Sequence, residues 1–525
     1  MPVNGRRRRA LFLGAVAAGL ALGTAACVVN PVTGQRELAL VTAADEVAIG
    51  DAQYEPSRQM QGGDFVVDPA LTEYVRTVGE RLAASSDRAL PYEFVVLNSS
   101  VPNAWALPGG KIAVNRGLLT ELGSEAELAA VLGHEIVHAA ARHGALAMQR
   151  GLLLQTAVAV TAAATGRGDY SSWAVGAAGL GAQLINQRNS RDAELEADEY
   201  GMRYMSRAGY DPQAAVSLQE TFVRLAEGRG NQGWAAGLFA SHPPSAERVA
   251  RNRATAATLP TGGELGRERY AAATASLRRM EPAYERYDEA RRLLADGNAD
   301  AAETAARAAI AQLPQEGHFY ALLGDIEAGR GEFATAADHY NSAIARNEPY
   351  FYYHLRNGTA QRRLQQLDAA EASLRRSIEL LPTAEGFYGL GAVAEQRGNR
   401  PEALEAYRYA AQSSGPAGVA AKDALLRLDL PVNPGQYLKL DTALDAENRL
   451  AIAIGNPTTQ TVADVTVLIA YTDADGVGRQ INRILPDVLE PGMTRRVATG
   501  IGPFPPAQNY AVAIVSTRVV TDAPP

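Results

Sequence analysis

Two histidines four residues apart, with a glutamate next to the first, are where this sequence can do chemistry: His134-Glu135-Ile136-Val137-His138. On a helix, residues four apart share a face, with Cβ atoms about 5–6 Å apart. Both imidazoles can then reach one Zn2+ at about 2.0–2.1 Å. Glu135 sits one step round the helix, placed to take a proton from a water acidified by the ion without becoming a ligand. The spacing therefore matches a mechanism, metal-assisted hydrolysis of a peptide bond. Four of the seven histidines (His134, His138, His143, His242) fall in one stretch of about 110 residues.

A catalytic zinc takes three protein ligands and keeps one position open. The third candidate lies in Ser190-Arg191-Asp192-Ala193-Glu194-Leu195-Glu196-Ala197-Asp198, which reads as a helix. Glu194 and Asp198 are four apart and share a face. Glu194 would complete the ligand set, and Asp198 would orient His134 or His138 through its ring N–H. A solvated acidic helix is the plain alternative; the histidine pair weighs against it. His143 lies nine residues after His134, about half a turn off the metal face of a continuous helix, and reads as structural.

These residues need elements to hold them. Residues 45 to about 88 read as helical, with Leu71, Tyr74, Val75, Val78 and Leu82 at helical spacing. Pro91 to Leu97 reads as a strand. Asn103 to Val114 reads as two short strand-like runs about a Pro108-Gly109-Gly110 turn. Ser124 with Glu127 is a capping box, opening a buried helix that runs to about Arg142. From about residue 283 the chain repeats, with units near 283, 317, 351 and 384, about 33 or 34 residues each, the tetratricopeptide period. Their eighth positions are Ala290, Gly324, Gly358 and Gly391; their twenty-fourth are Ala306, Tyr340, Leu374 and Tyr407. After Pro431, β-branched runs at 450–454, 465–471, 481–485 and 510–517, separated by turns, read as a β-sandwich without any histidine.

The fold class is thus multidomain: a mainly α zinc metallopeptidase core with a small β-sheet, an α-solenoid of repeats, and a C-terminal β-sandwich. The divisions are an extended lead-in at 27–44, the peptidase at 45–260, repeats at 275–430 and sandwich at 434–521. The chain has 525 residues and a formal net charge of −8; without residues 1–26, which hold four Arg and no acid, the charge would be −12. That balance gives no composition-level case for nucleic-acid binding. Residues 1–26 read as a signal segment: Arg6 to Arg9, an apolar stretch to about Gly23, then Thr24, Ala25 and Ala26 before Cys27. A lone cysteine there resembles a bacterial lipoprotein lipobox, with Cys27 the lipidation site. Val28 after it resembles outer-membrane sorting. The stretch is too short to span a bilayer comfortably.

HEIVH, then ARH at Ala141 to His143, then SRDAELEAD resembles the HExxH metallopeptidase family that holds the bacterial beta-barrel assembly-enhancing protease and the CAAX prenyl endopeptidases. Asn30 to Gly50, Asn103 to Leu119, and Ser241-His242-Pro243-Pro244 with Arg248 also resemble its periplasmic branch. The resemblance implies one zinc per chain on His134, His138 and Glu194, with Glu135 as general base. It implies that His242 fills the fourth position at rest, that Arg248 stabilises the oxyanion, and that Asn103, Ala104, Trp105 and Ala106 form a cleft edge strand pairing with substrate main chain. A turn-capping histidine and an arginine on a solvated helix are the plain alternatives for His242 and Arg248. The function implied is quality control of misfolded or stalled periplasmic and outer-membrane proteins, lipid-anchored at the outer membrane, with the repeats recruiting clients or the assembly machinery. A periplasmic chaperone whose peptidase site is mostly shut is the competing reading.

Overall fold

The structure, a computed structural model, describes residues 27–149, 189–228, 235–473, 475–485, 487–504 and 510–520. The expected signal segment and the Ala/Gly-rich stretch from 151 to 185 lie outside them. The chain divides into two compact units, one reaching Ala360 with Glu379–Leu381 added, the other built from Gln361–Ile378 and Pro382–Pro525. Among the described residues no helix is long and apolar enough to cross a membrane.

The first unit begins with an antiparallel pair, β1 (Cys27–Val29) and β2 (Arg36–Leu38). Asn30 closes the turn between them, its Oδ1 accepting from Val32 N at 2.9 Å. Helix α1 (Ala43–Met60) is opened by a reciprocal Thr42/Asp45 cap, and α2 (Pro69–Ala83) by Asp68 with Pro69 at its first position. The expected single helical stretch is therefore two helices. Gly62 and Gly63 stand at φ 103° and 72°, a backbone that L side chains resist. The chain then lies extended on β3 (Glu93–Leu97), with Phe65 N donating to Val96 O at 2.9 Å. Strands β4 (Ala104–Leu107) and β5 (Lys111–Asn115) complete a sheet of order β3-β5-β4, with β3 parallel and β4 antiparallel to β5. β4 is thus an edge strand.

After the short α3 (Arg116–Glu121) comes α4 (Glu125–Ala140), capped by Ser124 Oγ on Glu127 N at 3.2 Å. The expected box is displaced by one residue: Glu127 Oε2 accepts from Gly123 N at 2.6 Å, not from Ser124. Helices α5 (Arg191–Arg207), α6 (Gln213–Gly228), α7 (Ala235–Ser241) and α8 (Ala246–Ala256) follow. α4 and α5 meet at two glycines. A Cβ on Gly201 would lie 3.0 Å from His134 N, and one on Gly133 3.1 Å from Gly201 O. Val75, Val96, Ile112, Leu132, Ile136 and Met202 belong to the shared core.

α9 (Arg267–Ala295) is one 29-residue helix through Pro282, so the first repeat helix is continuous with a strut on the peptidase core. Arg269 forks onto Glu125 at 2.9 and 3.0 Å, and Tyr270 OH donates to Leu119 O at 2.6 Å. α10 (Ala299–Gln312), α11 (Gly317–Arg330) and α12 (Phe333–Ile344) follow, and the boundary between units falls within α13 (Phe351–Arg363). In α11 a Cβ on Gly324 would lie 2.5 Å from the Tyr340 ring.

The second unit continues with α14 (Leu367–Leu380), α15 (Ala384–Gln396), α16 (Arg400–Ala410) and α17 (Pro416–Asp429). A Cβ on Gly391 would lie 2.6 Å from the Tyr407 ring, as one on Gly324 would crowd Tyr340. Two three-stranded antiparallel sheets end the chain. One is β6 (Lys439–Leu444), β7 (Leu450–Gly455) and β10 (Thr494–Ala498); the other is β8 (Val462–Thr472), β9 (Gly478–Leu485) and β11 (Tyr510–Val519). Ile452 and Ile454 of one sheet share a core with Val465, Val467 and Ile469 of the other and Leu430 after α17.

Candidate metal centre

α4 turns His134 and His138 toward α5, which presents Glu194 one turn before Asp198. The loop after α7 delivers His242, whose N–H donates to Leu238 O at 2.8 Å. One ligand atom from each of His134, His138, Glu194 and His242 can be chosen so that all four lie within 4.8 Å of one another, and all four residues are buried. His134 Nε2 stands 3.0 Å from His138 Nε2 and 3.2 Å from His242 Nδ1. Glu194 comes within 3.5 Å of His134, 3.4 Å of His138 and 3.0 Å of His242. Four ligands about 2.0–2.1 Å from one ion would stand roughly 3.3 Å apart in a tetrahedron. The donor set therefore fits a zinc-sized cation.

The charge count agrees. The buried carboxyl groups of Glu135, Glu194 and Asp198 outnumber the one guanidinium buried with them, Arg248, a surplus that a cation answers. Burial disfavours a charged His134, but hydrogen bonds to Asp198 and Glu194 outweigh it and hold the imidazolium up to about 10. Burial pushes His138 well below its ordinary value. Glu194 is driven well below the carboxylate range, because His242, His134 and His138 together outweigh its burial. Asp198 falls to about 2, its burial overcome first by Arg248 and then by His134. A proton on His134 thus sits among carboxylates where a stronger cation fits.

His134 Nδ1–H donates to Asp198 Oδ1 at 2.9 Å, so of the two histidines offered for Asp198 it faces His134. Arg248 comes to the cluster, but the oxyanion role expected of it is not what its geometry gives. Nε and Nη2 fork onto Asp198 at 2.7 Å each, and Nη1 lies 3.1 Å from Glu194 and 3.3 Å from Pro243 O. A guanidinium with its donors spent on two carboxylates holds them in place. Glu135 is buried, with its carboxylate 3.6 Å from His242 Nε2.

Asn103 to Ala106 sit at the sheet edge. Asn115 N donates to Asn103 O at 2.8 Å, which sets the phase of the ladder and turns the main-chain groups of Ala104 and Ala106 away from β5. Trp105 points the other way, its Nε1 donating to Gln61 Oε1 at 3.1 Å. An apolar recess lined by Val131, Met202, Met205, Leu218, Phe222 and Leu238 opens beside His134 and Glu135.

His143 stands outside the set of possible ligands, but the straight-helix phase read from the sequence does not describe it. The helix ends at Ala140 and Arg142 takes φ 66°, so straight-helix geometry does not extend to residue 143. His143 Nδ1 lies 2.8 Å from His138 Nδ1.

Similarity to known proteins agrees with this geometry. The model of "Peptidase family M48" matches residues 69–256, and the tetratricopeptide repeat model matches 287–350 and 355–418. The beta-barrel assembly-enhancing protease of Yersinia pestis is 28% identical over 349 residues, covering 61% of this chain and 71% of the relative. The mitochondrial metalloendopeptidase OMA1 of Schizosaccharomyces pombe is 36% identical over 179 residues, 34% of this chain and 51% of its own. The metalloprotease YcaL of Escherichia coli is 29% identical over 215 residues, 40% of this chain and 80% of its own. The shared length thus runs from about half of one relative to four fifths of another.

Proposed function

We propose that the chain, whose residues 69–256 match the model of peptidase family M48, is a zinc endopeptidase that removes misfolded or stalled envelope proteins. The observation that carries the reading is the convergence of His134, His138 and Glu194 at 3.0–3.5 Å with Glu135 alongside. Zinc bound there would acidify a water and polarise the scissile carbonyl. Glu135 would take the proton from the nucleophile and pass it to the leaving amine. Asp198 keeps the His134 ring in the tautomer that presents Nε2, and Arg248 keeps Asp198 ionised and holds both Asp198 and Glu194 in place. The outward main-chain groups of Ala104 and Ala106 would hold an extended substrate by strand addition, which reads no particular side chain. The recess beside Glu135 would take an apolar residue next to the scissile bond.

The rest of the reading concerns place and partners. The repeats would present a concave groove to clients or to outer-membrane assembly machinery. Lipid on Cys27 would tether the chain on the periplasmic side of the outer membrane.

His242 favours one second reading, a chaperone or assembly factor kept shut, since its Nδ1 lies 3.2 Å from His134 and 3.0 Å from Glu194. Cleavage of an unfolded protein by wild type, Glu135→Gln and His242→Ala separates the two, with bound zinc measured for each. The peptidase reading expects wild type or His242→Ala to cut, and Glu135→Gln to bind zinc and cut about 10^3-fold more slowly. Zinc-loaded protein that cuts in neither form would give the ground to the chaperone reading.

A further inference from the structure

We propose that His143 is a positioning residue of the metal centre: its Nδ1 accepts a hydrogen bond from His138 Nδ1–H, and Glu196 orients it by accepting from its Nε2–H. The inference rests on the zinc reading above and concerns a residue which that reading leaves out.

His138 faces the cluster through Nε2, 3.0 Å from His134 Nε2 and 3.4 Å from Glu194 Oε1. A neutral imidazole that ligates through one nitrogen carries its proton on the other. His138 must therefore hold its proton on Nδ1. That atom lies 2.8 Å from His143 Nδ1. Two N–H groups cannot face each other at that distance, so His143 Nδ1 must be the lone pair and its proton must sit on Nε2. His143 Nε2 in turn lies 3.3 Å from Glu196 Oε1, and a carboxylate accepts. Only one direction satisfies every atom: His138 donates to His143, and His143 donates to Glu196.

The backbone is shaped to make this contact. On a continuous helix, a residue five places after His138 would point roughly 140° away from it. Arg142 at φ 66° breaks the helix and brings residue 143 back. That costly conformation is held from outside. Arg142 Nε donates to the fully buried Glu46, Arg142 Nη2 donates to Val41 O, and Asn30 Nδ2 donates to Ala141 O at 3.2 Å. The two zinc-facing histidines thus have unlike supports: a carboxylate gripped by Arg248 for His134, a neutral ring for His138. α5 supplies Glu194 to the ion, Asp198 to His134, and Glu196 to the end of the His138 chain.

The test measures zinc affinity of the full chain by competition with a chromogenic chelator. It compares wild type, His143→Leu, His143→Asn and Glu196→Gln, with helical content followed by circular dichroism. Asn places Oδ1 where the imidazole Nδ1 stood and keeps an acceptor for His138; Leu does not. Zinc affinity should fall about 10- to 100-fold in His143→Leu, recover most of that in His143→Asn, and fall only a few-fold in Glu196→Gln. Equal affinity in His143→Leu and wild type overturns the inference, as does an Asn variant no better than Leu. A wild type that binds no zinc overturns the metal-centre reading and this inference with it.

Discussion

Glycine brings helices together in the peptidase core and in the repeats, for opposite ends. In the peptidase core, Gly133 and Gly201 let two backbones touch, with a Cβ on either held 3.0–3.1 Å from the other helix. In the repeats, Gly324 and Gly391 make room for the rings of Tyr340 and Tyr407. The repeat contact joins residues 16 apart in sequence and only has to fill space. The core contact joins residues 68 apart and has to bring His134 within hydrogen-bond reach of Asp198 and within 3.5 Å of Glu194. Filling space tolerates adjustment; meeting an ion from three side chains does not.

Four substitutions sharpen or break that contrast, from the largest effect down. Glu194→Ala removes one ligand and adds no bulk. About a quarter of a structural zinc's binding free energy, on the order of 4 kcal/mol, should go, and cleavage with it. Helical content should stay, as equilibrium zinc binding and circular dichroism would show. Gly391→Val drives a branched side chain into the Tyr407 ring. Thermal unfolding should report a loss of about 3 kcal/mol with unchanged zinc stoichiometry. Altered zinc content there would mean the two kinds of contact are not separable.

Glu125→Gln tests the tie between α9 and the first turn of α4. Burial raises this carboxyl, but Arg269, Tyr74 and Tyr210 outweigh burial and hold it below the ordinary range. A depressed carboxyl adds stability above its unfolded value, and that stability is lost as pH falls through the folded value. The variant should be about 2 kcal/mol less stable at pH 7, with the gap closing below about pH 4. A gap independent of pH would mean the ionised form is not what matters. Gly201→Ala should show the smallest change in stability, because helix propensity returns about 1 kcal/mol against the crowding at His134 N. Its zinc affinity should still drop about 5-fold, roughly 1 kcal/mol. Unchanged affinity would show that the crossing distance is not critical.

Much of this was legible in the sequence, and the gaps share a cause. The spacing of His134, His138, Glu194 and Asp198 is helical and needs only the helices to exist. The repeat register shows because the same small and aromatic positions recur. β6 and β10 were missed because both are largely exposed and carry no apolar alternation. The Gly62–Gly63 break hid inside a helical period. Arg142 at positive φ has no local signature, because its partner Glu46 lies 96 residues away. The nearness of His143 to His138 follows from that one dihedral angle. The partners of Arg248 were equally out of sight: a basic residue near acids reads the same whether it grips them or faces a substrate.

The hairpin at the start of the described chain has a mechanical consequence. Cys27 is already paired with Leu38, and three residues on, Asn30 grips the carbonyl at the end of the helix that carries both histidines. Only Val28 and Val29 stand between Cys27 and Asn30. Tension applied at Cys27 would arrive within a few residues at Ala141, beside the turn that aims His143. A pull there would be felt at the helix that carries His134 and His138.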